Sequence, residues 1–220
     1  FIEMLLPYND AQPGVSSWKD WAFDNFKFIT HEIFIYLIAV LLRFERFETV
    51  AWLLGQEYYV ELNPERGRAE MVPFTAIRHY LKSLEHRNGR LNLKRISLRA
   101  DLLEKRAKGS GLAFPQVMQA DFVLYLRDAL EAHRQERHPR WWPETLLYAS
   151  RHYGAFEIFA RAQSIAYFEN VKTLLAIKAK AEMEQLLVAF RDRTATPPRY
   201  DYDALNVGAL MGFDKLATRP

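Results

Sequence analysis

The residues best able to do chemistry in this 220-residue chain lie in one short stretch, Arg127-Asp-Ala-Leu-Glu-Ala-His133. A histidine that titrates near neutral pH can give and take protons, and an arginine can stabilise the charge that builds on a phosphorane. A second group lies in segment 78–108, which carries ten basic residues against only Glu85, Asp101 and Glu104. Arg87, Arg90, Lys94, Arg95 and Arg99 crowd what reads as the junction of two helices. Such a layout suits contact with a phosphate backbone, or docking on an acidic protein face. The third group is Arg140-Trp141-Trp142, in a connection bounded by Pro139 and Pro143. Successive side chains cannot share one helix face, so one tryptophan is expected to face the core and the other a partner.

The Arg127 to His133 stretch resembles the Arg-x4–6-His motif, with a polar residue after the arginine, of the HEPN ribonucleases. The resemblance covers those seven residues of the 220. It implies an all-helical, usually dimeric enzyme that cleaves RNA without a metal, with Arg127 as charge stabiliser and His133 as acid or base in a shared cleft and Asp128 as their polar companion. Other signatures are missing: there is no phosphate-binding glycine loop, dinucleotide fingerprint, nucleophile elbow or His-Glu-x-x-His. The chain has no cysteine, which excludes disulfides, thiolate zinc sites and cysteine nucleophiles. His31–Glu32 lacks the second histidine that zinc would need. Neither a metal nor another cofactor is expected.

The elements that must position these residues read as helices. Thr30–Leu54 is the most apolar stretch, with no charged or strongly polar position between Ile33 and Leu42. Such a run is expected to be buried on all sides, and Arg43 stops it well short of the ~20 residues that span a bilayer. With Thr30 as N-cap and Gly55 at its end, it predicts one central helix of about 37 Å at ~1.5 Å per residue. A short helix capped by Ser16 or Ser17 is expected to bury Trp18, Trp21, Ala22 and Phe26. Gln56–Glu61 reads as a short extended piece and residues 62–70 as a turn-rich linker. Further helices are expected from Pro73 to Asn88, ended by Gly89, from Ser97 to Ala107, stopping at the Gly-Ser-Gly of 109–111, and from Pro115 through Arg137. Others cover 144–153 and 155–164, and a long one runs from 164 to 193.

The fold class is therefore all-α, a single compact domain of about eight or nine helices around a buried central helix. The helical domain is expected over 1–193, with 194–220 as an irregular tail packing on it through Leu205, Val207, Leu210 and Phe213. The chain opens on Phe1, which suggests a piece of a longer or processed protein. The leading expectation is a non-catalytic interaction or assembly domain of a larger cytoplasmic protein. Its contact surfaces would be the basic junction and the Trp-rich connection, its partner another protein or a second copy. The alternative is the HEPN-like ribonuclease using Arg127 and His133. A third reading is a helical domain that binds RNA or DNA through residues 78–108 without cleavage. No membrane association is expected.

Overall fold

Residues Val117 through Leu126 are buried without interruption, more completely than any other stretch of helix. They belong to the longest helix of the structure, a computed structural model that describes residues 2–11, 16–19, 21–63, 68–201 and 203–220. In chain order the α-helices begin with α1 (Ile2–Leu5), α2 (Asp24–Arg43) and α3 (Phe47–Gly55). A hairpin of β1 (Glu57–Asn63) and β2 (Arg68–Pro73) follows, then α4 (Lys82–Arg90), α5 (Leu98–Ser110) and α6 (Phe114–Arg134). After a 3-10 segment at Glu144–Arg151 come α7 (Glu157–Arg161), α8 (Ile165–Leu175) and α9 (Lys180–Arg191). The last elements are the two-residue strands β3 (Arg199–Tyr200) and β4 (Asp203–Ala204), then α10 (Val207–Met211). The fold is all-α, with two small sheets as appendages.

Several local expectations change. The stretch 30–54 is two helices, because Glu45 takes a left-handed backbone (φ 55°) and turns the chain between α2 and α3. Thr30 is no cap; it lies buried inside α2, and its hydroxyl donates to Asn9 Oδ1 at 3.3 Å. Ala176 (φ 49°) likewise divides the long final helix into α8 and α9. Phe74–Ile77 makes only a 3-10 turn before α4 starts. Ser16–Lys19 are not helical, and Trp18 and Trp21 are exposed rather than core, Trp21 stacking on His86. Ser97 caps α5 as expected, accepting from the Ala100 N–H at 3.1 Å. The segment 194–220 is tied to α7 and α8 through its backbone: Phe156 donates to Leu210 O, Ile165 to Arg219 O and Ala217 to Ala162 O.

Two aspartates, Asp121 and Asp128, sit two turns apart on one face of α6, both fully buried. Asp121 accepts from the Trp141 indole at 2.7 Å and from the Thr145 N–H and hydroxyl at 2.9 and 2.7 Å. Asp128 accepts from the Trp141 N–H at 2.7 Å, the Arg140 N–H and the Arg137 guanidinium at 2.9 Å. The connection 137–145 is thereby clamped along α6, which drives Trp141 into the core against Phe34 and Phe74. Replacing Asp128 with Ala leaves the Arg137 charge and two backbone N–H groups without their acceptor. We expect it to cost about 3–5 kcal/mol of unfolding free energy in urea titration, and a loss below about 1 kcal/mol would contradict this clamp.

Candidate functional site

Arg127 and His133 do not share a cleft. Six residues along a 3.6-residue helix leave their side chains roughly 120° apart around the axis of α6. Arg127 points to the end of α3 and the foot of the hairpin, in a cleft of about 630 Å³ with Leu54, Gly55 and Phe74. His133 opens on α9 instead, beside Leu186 and Phe190. Asp128, the expected polar companion, is committed to the 137–141 backbone. The Arg127 cleft does bring together residues from two of the expected groups, because Arg140 lines it as well, along with Arg134 and Arg137. Burial pushes the Arg127 pKa down, with Glu131 opposing and Arg134 reinforcing the shift.

The basic segment divides into a paired half and a free half. Arg99 is only 4% exposed; it donates to His79 O and pairs with Glu144 at 3.4 Å. It is a core residue, withheld from any phosphate backbone. Arg95 is held by both oxygens of Asp101, at 2.7 and 2.9 Å, and by the Tyr148 hydroxyl. Arg87, Arg90 and Lys94 stand exposed without an ion pair among the described residues. Leu91, Leu93 and Ile96 are exposed beside them. Of the tryptophan pair, Trp141 is buried, while Trp142 is 39% exposed and packs edge-on against Tyr200.

The feature that sequence reasoning missed is the outer side of α2. Phe26, Ile29, Ile33, Leu37, Val40 and Phe44 recur at steps of three and four, which places them along one stripe. Phe26, Ile29, Val40 and Phe44 are exposed (Phe44 63%), and Ile33 and Leu37 are half-buried. The stripe runs about 27 Å at ~1.5 Å per residue and contains no charge. Tyr8 extends it sideways, its ring 5.8 Å from that of Phe26. The opposite side of α2 (Ile35, Ile38, Ala39, Leu42) is buried in the core. The signal is present in the sequence as an apolar run without a polar face. Such a run predicts burial on all sides; within Ile33–Leu42 Val40 is exposed and Ile33, Tyr36, Leu37 and Leu41 are half-buried.

Beneath the 137–145 connection lies a buried polar cluster. His31 on α2 is enclosed with neither ring nitrogen hydrogen-bonded, stacked at 5.3 Å on Trp141. Burial, and then Arg99, Arg78 and His79, hold its pKa well below the usual histidine range. His79 is pushed down to about 4, by burial first and by Lys27 and Arg99 after it. Asp121 is pushed up to about 6 by burial, against the hydrogen bonds from Trp141 and Thr145. Glu144 joins the cluster to α5, accepting from Arg78 at 2.8 Å and from Ser97 at 2.6 Å. Among the described residues no group of three or more His, Asp and Glu is placed to hold a metal ion. Comparison with protein families, curated proteins and solved structures gives no match.

The buried histidines make stability depend on pH with a definite sign. A histidine kept neutral in the fold binds fewer protons than in the unfolded chain. Its stabilisation is thus complete above the unfolded value near 6.5 and is lost as pH falls toward its folded value. Asp121 acts in the opposite sense, costing stability as pH rises through about 6. His31→Phe isolates the histidine effect. The difference in unfolding free energy between variant and wild type should shift in favour of the variant by about 1.4 kcal/mol per pH unit below 6.5. Urea titrations at pH 7.5, 6 and 5 check this, and a difference independent of pH would refute it.

Proposed function

We propose that this chain is a non-catalytic helical interaction domain of a larger cytoplasmic protein, one that assembles with a second copy through the outer face of α2. The observation that carries this reading is the uncharged stripe from Phe26 to Phe44. Exposed apolar side chains at both ends of this stripe, with half-buried Ile33 and Leu37 between them, raise the solvation cost of the free chain, which a partner relieves. A stripe without charges is complementary to itself, so two copies related by a twofold axis can lay α2 against α2. A stable pair needs about 800 Å² from each side. Tyr8 enlarges the area available at the Phe26 end.

A second reading, contact with RNA or DNA without cleavage, is favoured by the free trio Arg87, Arg90 and Lys94. It predicts an affinity that falls steeply with salt, whereas an apolar pair is insensitive to salt or strengthens with it. The ribonuclease reading would need Arg127 and His133 to meet from two chains, since they open on different clefts.

Light scattering over a concentration series tests the assembly reading. Wild type should move toward a dimer mass as concentration rises. Ile29→Glu and Val40→Glu, which set like charges face to face, should weaken association at least tenfold, a cost of about 1.4 kcal/mol. Both sites lie on the surface, so folding stability should change by no more than about 0.5 kcal/mol. A wild type that stays monomeric throughout, or that binds neutral lipid vesicles in place of pairing, would overturn the proposal.

A further inference from the structure

The cleft between α6, the end of α3 and the foot of the hairpin holds four arginines of unequal circumstance. Arg134 is engaged by Glu182 at 2.9 Å, and Arg137 by Asp128 at 2.9 Å. Arg140 gives its backbone N–H to Asp128, while its guanidinium has no partner among the described residues. Arg127 is the unusual one. Its Nε and Nη1 are enclosed with no hydrogen-bond acceptor, and Nη2 lies beside Gly55. Taking a guanidinium out of water without giving it acceptors is costly, so a fold that keeps one there is stabilised by whatever anion it can receive.

We propose that this cleft binds a small oxyanion, the carboxylate or phosphate group of a small molecule, with Arg127 as the principal ligand and Arg140 at the mouth. The planar guanidinium offers parallel N–H groups that match two oxygens on one carbon or phosphorus. At about 630 Å³ the cleft falls within the size range of small-molecule sites. Glu57 and Glu131 also line it, and their charges act against a polyanion such as nucleic acid while tolerating a single anionic group. The cleft shares no residue with the α2 stripe, so this site stands or falls independently of self-association.

The test is a thermal melt of the full chain in sodium phosphate and in sodium acetate, each against sodium chloride at matched ionic strength. At a twentyfold excess over Kd the bound anion should raise Tm by roughly 5 °C. A response to phosphate alone assigns a phosphate ligand and a response to acetate alone a carboxylate. A response to both assigns the shared oxyanion chemistry. Arg127→Met should abolish the response and leave the anion-free Tm unchanged or higher, because it removes an enclosed, unpaired charge. A purely structural arginine would give a lower Tm in that variant. Arg140→Gln, a surface change that keeps the fold, should weaken binding about fivefold. No rise with either anion, or a rise that persists in Arg127→Met, would overturn the proposal.

Discussion

The fold depends on two carboxylates placed where water does not reach. Asp121 and Asp128 occupy one face of α6, and between them they receive six hydrogen bonds from Arg137, Arg140, Trp141 and Thr145. Burying either charge alone would be prohibitive; filling most of its acceptor positions makes burial tolerable and fixes the geometry. The connection so held presents Glu144, which accepts from Arg78 and Ser97 and pairs with Arg99. That carboxylate binds α5 and the chain before α4 to α6. A single polar network thus runs from α6 through one loop to the basic junction, and Trp141 is the apolar wedge it drives home.

This arrangement explains why α6, and not α2, is the enclosed helix. The sequence of α6 is interrupted by Gln119, Asp121 and Asp128, yet each is satisfied internally; Gln119, for example, accepts from the Ile158 N–H at 3.0 Å. The sequence of α2 is the more apolar, yet the chain leaves Phe26, Ile29 and Val40 exposed along its outer side. Hydropathy reports the free energy of leaving water, which is the same whether the covering surface belongs to the same chain or to another. The half-covered helix carries the proposal of self-association, and the satisfied polar helix carries the core.

Much of the fold was legible. Ser97, with its helix ending at the left-handed Gly111, marked α5 at both ends, and the 3.6-residue period marked α6. The breaks at Glu45 and Ala176 were not, because neither is the glycine that usually marks the left-handed cap, here closed by Arg46 N–H on Leu41 O and Ile177 N–H on Lys172 O. The site was legible only in fragments. The Arg127 and His133 spacing drew attention to α6, but a six-residue separation turns the two side chains apart. Arg99 looked like its exposed basic neighbours, and only the fold reveals that Glu144 and His79 O take it inside. Arg137 and Arg140 line the same cleft as Arg127 because the clamp on Asp128 holds their segment there, a placement that no local pattern encodes.

The chain has no cysteine, so a single introduced thiol reports one position without ambiguity. Ile33 lies near the middle of the α2 stripe, and Glu48 is exposed on α3, outside the stripe. The most direct measurement is cross-linking of Ile33→Cys with a short bis-maleimide, beside Glu48→Cys as control. Pairing through α2 predicts a covalent dimer from Ile33→Cys in high yield and little from Glu48→Cys. Equal yields from the two, or none from Ile33→Cys, would contradict the account.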